Sequence, residues 1–211
     1  MIIRLCLLGL LLLVTAPAWA QPSRGFTQET GRVAGPGQAS LDLYNSTGEW
    51  TRPATSQLRV GTRLGEFWAS TRDLGYKALM RPRLAAYVSA GVQLSPSHID
   101  ASAGLAYTLS TSLGTFHFNP AYVNNDLGKG IYLNAAGYRP LPLLPRYLGP
   151  VAFGVELSLS DATDTLLGYA VGARWLPKDY LTVDLILWAD GGTMGSGTIA
   201  TPAALRINIS L

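Results

Sequence analysis

Two short stretches hold the residue types that acyl-transfer and hydrolytic chemistry require. In "SPSHID", His98 stands beside Ser95, Ser97 and Asp100. An imidazole within reach of a hydroxyl is how a nucleophile is activated by a general base. The second histidine, His117, stands beside Thr115 and Asn119. Ser–His–Asp packed this tightly in sequence is also what a polar hairpin turn contains. His117 reads as a hydrogen-bonded side chain facing an interior. No catalytic residue is assigned, and a lipid-modifying enzyme around His98 is the last of the functional readings.

Oxygen ligands form the next candidate set. Glu49, Asp126, Asp161, Asp164 and Asp190 all fall in turn-like segments. They suit Ca²⁺ or Mg²⁺, which could bridge them to lipopolysaccharide phosphates. None has the spacing of a dedicated ion loop, so a solvated acidic rim is expected and no metal site. The sequence contains no glycine-rich phosphate loop and no basic run, which excludes nucleotide cofactors and nucleic-acid partners. The single cysteine, Cys6, sits among the first twenty residues, leaving no disulfide or thiolate chemistry beyond them.

The remaining charges are more informative because of where they stand. Arg59, Arg63, Glu156, Arg174, Asp184 and Arg206 each occupy the alternate, non-apolar positions of otherwise apolar segments. Charges that share an enclosed face must pair, since stranding one is costly. Two uses are open to such a set: a salt-bridge network that rigidifies an interior, or a charged constriction that selects solutes. Either needs a sheet that turns these residues inward.

The first twenty residues, "MIIRLCLLGLLLLVTAPAWA", have the layout of a secretory signal. Arg4 forms the positive region, Leu5 to Val14 the apolar stretch, and Ala18-Trp19-Ala20 a small-x-small cleavage site after Ala20. The apolar run is half the ~20 residues a spanning helix needs. Nothing after it comes near that length. An apolar, secreted chain of this kind can satisfy its backbone in lipid only as a closed sheet. Residues 21–37 show no periodicity and read as a polar lead-in.

From about residue 38 the pattern has period two, broken every ten residues or so by turn residues, as expected of transmembrane strands. It predicts ten strands, over 38–46, 57–69, 82–95, 99–110, 114–123, 130–139, 149–160, 165–176, 180–190 and 202–211, with eight as the alternative count. In the six clearest of them one face is apolar and uncharged: Leu84, Ala86, Val88, Ala90 and Val92 in one, Val151, Phe153, Val155, Leu157 and Leu159 in another. Lysine or arginine at a bilayer midplane costs roughly 2–4 kcal/mol, so a lipid-facing wall should read this way. The opposite face is dominated by Gly, Ala and Ser rather than by the Lys, Glu and Thr of a water-facing sheet. Small residues fit the concave side of a narrow barrel.

An even count puts both ends of the barrel on the periplasmic side. The connections 47–56, 96–98, 124–129, 161–164 and 191–201 then lie outside, and 70–81, 111–114, 140–148 and 177–179 lie within. Trp68, Tyr107, Phe116, Phe153 and Trp175 take outward parity near the periplasmic strand ends, as one aromatic girdle. The closing strand "ALRINISL" alternates to its last residue. It is expected to pair with the first strand and to be read by the barrel-assembly machinery.

"FGVELSLSD", "GYAVGARWLPKDYLTVDL" and the final "ALRINISL" resemble the YfaZ-like outer-membrane proteins over roughly residues 150–211. The resemblance implies a small outer-membrane barrel, often described as porin-like, and carries over no catalytic residue. The expectation is therefore an all-β, antiparallel, up-and-down outer-membrane barrel over 38–211, surrounded by outer-membrane lipids and lipopolysaccharide. Its leading function is a porin-like channel or structural envelope protein with a narrow or plugged charged lumen. An adhesion or envelope-binding barrel working through its outer loops is the alternative.

Overall fold

The computed structural model describes residues 29–46, 55–70, 73–94, 97–125, 128–141, 149–160, 166–190 and 204–210. The expectations for the signal segment, for the connections 161–164 and 191–201 and most of 47–56 and 140–148, for Glu49, Ser95, Asp126, Asp161 and Asp164, and for Leu211 lie outside them. The chain is all-β. Twelve antiparallel strands each pair with the next, and the last closes on the first. They are β1 (Ala39–Ser46), β2 (Thr55–Gly61), β3 (Glu66–Ser70), β4 (Asp73–Arg81), β5 (Leu84–Leu94), β6 (Ser97–Thr111), β7 (Gly114–Asn125), β8 (Gly128–Pro140), β9 (Val151–Ser160), β10 (Leu166–Lys178), β11 (Leu181–Asp190) and β12 (Ala204–Ser210). The seam runs from Ser40↔Ser210 to Ser46↔Ala204. The end of the barrel holding Ala39 and Ser210 is called the lower end below.

The barrel has two more strands than the alternation predicts. The segment 57–69 is two strands, β2 and β3, folded back on each other so that Arg59 lies opposite Trp68. The turn between them reads Thr62-Arg63-Leu64-Gly65, the same T-x-L-G pattern as Thr111-Ser112-Leu113-Gly114 between β6 and β7. In both, the threonine hydroxyl accepts the N–H of the leucine at 3.1 Å and donates to the glycine carbonyl, at 2.9 Å in the first turn and 3.2 Å in the second. Both glycines sit at positive φ, 144° and 148°, where a side chain would be strained. The segment 70–81, read as an inner turn, is largely β4. Its alternation is blurred by an inward Lys77 and by a register shift between Leu79 and Arg81.

A turn inside an assumed strand inverts the facing of everything beyond it, because strand side chains alternate with period two. Trp68, expected on the outside, points inward and is 5% exposed. Arg63, expected in the lumen, lies exposed in the turn, and Glu66 takes the interior position instead. The facing of β5 to β12 follows each strand's own alternation and is as expected, and because two strands were added their up or down direction is also unchanged. His98, expected in a loop, is part of β6 with its backbone opposite Gln93.

Side-chain distribution is the reverse of a water-soluble barrel. The largest fully buried side chains are Arg59, Arg174, Arg206, Tyr138 and Lys77, whereas Leu74, Val88, Ile99, Ile131, Leu133 and Leu187 stand half-exposed or more on the outer wall. Tyr107, Phe153 and Trp175 face outward toward the lower strand ends, and Phe116 lies beside them partly covered. Among the described residues, charged side chains on the outer wall occur only near strand ends, at Arg81, Lys129, Arg139 and Lys178.

Small residues on the inner face make room for large ones. A Cβ on Gly75 would come within 2.0 Å of the Trp68 ring, and one on Gly104 within 2.6 Å of the Tyr87 hydroxyl. These glycines let the two aromatics lie flat across neighbouring strands.

The β2–β3 hairpin can be tested directly. Val60 and Phe67 are register partners, so their Cα atoms fall at the ~4.5–5.5 Å of an antiparallel pair, within disulfide reach. Val60→Cys with Phe67→Cys should crosslink spontaneously in the folded barrel, read by mass spectrometry of a proteolytic digest. Were 57–69 one strand, these positions would be roughly 23 Å apart and no crosslink would form.

Candidate functional site: a charged and plugged lumen

Twelve strands spaced about 4.8 Å apart and tilted by about 40° enclose a cylinder roughly 24 Å across between backbones. Eight-strand barrels are filled by their own side chains; this one has space left over. Two things fill it. One is a chain of ion pairs along one side, and the other is the segment 29–38, read from sequence as a lead-in.

The ion-pair chain starts on β10. Arg174 grips Asp184 on β11 with two bonds, Nε to Oδ1 at 2.7 Å and Nη2 to Oδ2 at 2.8 Å. Asp184 also accepts from Arg206 on β12 at 3.2 Å. Arg206 then crosses the seam to Asp42 on β1, with Nε and Nη2 at 2.9 and 2.6 Å from Oδ1, where Asn208 Nδ2 donates at 2.9 Å as well. Asp42 Oδ2 lies 3.8 Å from Arg59 on β2. Arg59 donates to Glu66 on β3 at 2.5 Å, and Lys77 on β4 closes the series 3.9 Å from Glu66. Seven consecutive strands are thereby tied across the point where the sheet closes.

Neutral contacts carry the interior round the rest of the wall. The Arg174 guanidinium stacks 4.8 Å over the Tyr138 ring, and the Tyr138 hydroxyl donates to Glu156. Asn134 on β8 accepts from the Ser158 hydroxyl at 2.5 Å and donates to the Asn119 carbonyl at 2.9 Å. Asn119 in turn accepts from the Tyr87 hydroxyl at 2.8 Å. Arg59 lies 4.9 Å from the Trp68 ring centre, which ties the aromatic layer to the charges.

The segment 29–38 enters from the lower end. It turns through Gly35 to Gln38, where the Gly37 N–H donates to Gly61 O at 3.1 Å and the Gly61 N–H donates back to Gln38 O at 2.8 Å. Further in, the Ala34 N–H donates to Glu66 Oε2 at 2.7 Å and the Gly31 N–H to Thr108 Oγ1 at 2.8 Å. Thr108 Oγ1 is also 2.8 Å from His117 Nδ1. His117 thus serves the seat of this segment rather than an open catalytic cleft. Gly31 passes so close to the wall that a Cβ would come within 2.1 Å of Arg83 O.

Deepest lies Glu29. Its carboxylate accepts from Arg59 Nη2 at 2.5 Å, Arg59 Nη1 at 3.1 Å and Lys77 Nζ at 2.8 Å, while its carbonyl accepts from Asn119 Nδ2 at 3.3 Å. Among the fully buried side chains the barrel wall offers Arg59, Lys77, Arg174 and Arg206 against Asp42, Glu66, Glu156 and Asp184, an even balance. The segment brings Glu29 together with Arg32, so its own charges also balance. Arg32 is held less comfortably. Burial and the neighbouring Arg83 and Arg174 guanidiniums lower its pKa from the ordinary arginine value.

Of the six charges singled out in the sequence, Arg59, Glu156, Arg174, Asp184 and Arg206 lie inside and buried, and all but Glu156 belong to the ion-pair chain. Four interior carboxylates and amines escaped the sequence reading. Asp42 was legible, because it interrupts Leu41 and Leu43 with inward parity. Glu66 and Lys77 were hidden by the missed hairpin and strand, for which the repeated T-x-L-G was the available signal. Glu29 had none, since nothing local marks a coil that folds into a lumen.

The class of protein these features define is a closed twelve-strand antiparallel barrel with an apolar exterior and an ion-paired, plugged interior. Comparison of the chain with family models, with curated proteins and with solved structures found no match. Among the described residues no cluster of His, Cys, Asp or Glu is arranged to hold a metal ion.

Removing one partner of a buried pair leaves the other charge uncompensated, at about 3–5 kcal/mol. Asp42→Ala removes the closer of Arg206's two carboxylate partners, leaving it Asp184 alone at 3.2 Å, and takes away the carboxylate that Arg59 meets at 3.8 Å, so unfolding stability should fall by up to about that amount in a urea titration followed by circular dichroism. Thr182→Ala, a neutral inward position on β11, should shift it by under ~1 kcal/mol. Equal effects of the two would show that seam pairing does not matter to stability.

Proposed function

We propose that this chain is an outer-membrane barrel of the porin-like kind, held closed in the state described by its own segment 29–38. The membrane part of the reading rests on the inverted side-chain distribution. An uncharged apolar wall is tolerated next to lipid and would aggregate in water. Orientation follows from the connections. At the lower end four of the five are short turns, whereas the upper end includes the thirteen-residue connection between β11 and β12, the asymmetry expected of periplasmic turns and external loops.

The closed state rests on one observation above all, the Glu29 carboxylate seated between Arg59 and Lys77 inside the barrel. A solute moving along the lumen would have to displace it. Withdrawal of the segment leaves Arg59 and Lys77 with Glu66 as partner, so the barrel retains a paired interior and a pathway opens beside it. The seat is therefore suited to leave without unfolding the wall.

Planar-bilayer recordings test this reading. The chain beginning at Gln21 should insert and stay silent. Glu29→Ala, and separately Gly31→Val, which drives a side chain into Arg83 O, should each produce reproducible current steps in a barrel that still folds. Steps from the unaltered chain would refute the closed state. Silence from both variants would assign the barrel a structural role, and a barrel unable to insert in lipid would remove the membrane reading altogether.

A further inference from the structure

The lower rim carries a charge pattern that the lumen does not explain. Arg63 in the β2–β3 turn and Arg81 and Arg83 flanking Pro82 in the β4–β5 connection are all exposed. The β2–β3 turn rests against β4, the strand that Arg81 ends, since the Tyr76 hydroxyl donates to the Leu64 carbonyl at 2.5 Å. Among the described residues none of these three guanidiniums has a carboxylate partner, in a protein that pairs its interior charges throughout. Arg139 and Lys178 extend the basic character around the same end, where Asp179 is the one described acid.

Two further observations single out this corner. Arg83 holds φ at 69°, a left-handed conformation that glycine or asparagine would adopt without strain. The exposed guanidiniums also border exposed apolar residues, with Leu64 77% exposed, Met80 62% and Leu79 54%. Arginine set directly beside a greasy edge is the composition of a membrane interface. The wall is low on this side of the barrel, with seven, five and nine residues in β2, β3 and β4, and eight and seven in the neighbouring β1 and β12, against eleven to fifteen in β5 to β8. A bilayer meeting a short wall thins against it, which draws its headgroups toward the rim.

We propose that Arg63, Arg81 and Arg83 form a binding site for the phosphodiester headgroup of an anionic phospholipid in the leaflet at the lower end. This rests on the membrane reading above. Planar guanidiniums bind phosphate oxygens bidentately, and three exposed ones without carboxylate partners among the described residues offer that chemistry to a headgroup at the barrel mouth, where Arg83 also neighbours Arg32 of the lumen segment. Met80 and Leu64 would lie against the acyl chains beside them, whereas Leu79, opposite the interior Ala85, faces the lumen mouth. The site would fasten the shortest part of the wall, beside the strands that seat Glu29.

The test uses the folded barrel in detergent, titrated with short-chain phosphatidylglycerol, phosphatidylcholine or inorganic phosphate and read by native mass spectrometry. Phosphatidylglycerol should bind more tightly than phosphatidylcholine, and free phosphate should not compete at equal concentration. Each arginine removed should weaken phosphatidylglycerol binding about fivefold, the equivalent of ~1 kcal/mol for one basic residue at an anionic surface. Arg63→Gln and Arg81→Gln remove charge alone, and Arg83→Gly also relieves the strained backbone, so the triple variant should fold normally. The triple lysine variant, which keeps the charge and loses the bidentate geometry, should bind phosphatidylglycerol less tightly than the unaltered barrel and more tightly than the glutamine–glycine variant. Equal binding of the two lipids, unchanged binding by the triple glutamine–glycine variant, or displacement by free phosphate would each overturn the site. Vesicle insertion separates the two ideas: a barrel that inserts yet shows no lipid preference sinks only the site, and one that fails to insert sinks the reading beneath it.

Discussion

Every part of this barrel answers to the cost of enclosing charge. A lumen wide enough to need filling is filled here with guanidiniums and carboxylates, and none of these can be left alone in so dry a place. The Asp42–Arg206 contact is the critical one. It joins residues 164 apart in the chain, lies at the seam where the sheet has no covalent continuity, and passes the pairing on to both sides. Remove it and two otherwise separate networks, Arg174–Asp184 and Arg59–Glu66–Lys77, lose their link.

The same constraint explains why the N-terminal coil sits where it does. A backbone segment buried inside a barrel needs partners for its own N–H and C=O groups. Here Thr108, Asn119 and Glu66 supply them. Segment and wall are shaped for each other, Gly31 of the segment lying against Arg83 O and Gly61 of the wall against Gly35 O, both closer than a Cβ allows. Buried ion pairs are no stronger than well-packed apolar contacts of the same volume. What they add is selectivity of register, because a slip of one residue would turn each charge toward the outer wall. The proposed membrane setting makes that slip prohibitive.

Much of the wall was legible in the sequence, and the misses share one cause. Alternation reports facing, so Glu156, Arg174, Asp184 and Arg206 could be set inside and Phe153 and Trp175 outside from their parity alone. Alternation does not report reversal of direction. A four-residue turn such as Thr62–Gly65 keeps an apolar residue at nearly every second place, so β2 and β3 read as one strand, and Trp68 and Arg63 came out on the wrong sides. Lys77 misled for a different reason, since a lysine in a stretch that also holds Arg72, Asp73 and Arg81 looks like a solvent-facing turn until its carboxylates are known.

The sequence by itself determined that the chain is a sheet with one apolar and one small or polar face, and that its last strand is built to pair. Those are local properties, carried by neighbours two residues apart. Only the tertiary structure decided the number of strands, the partners of each interior charge and the place of residues 29–38. Those depend on which residues meet across the barrel, and electrostatic pairing over such distances leaves no periodic trace in the chain. Glu29 is polar in a polar segment, and it becomes the centre of the lumen only because Arg59 and Lys77 arrive there from two other strands.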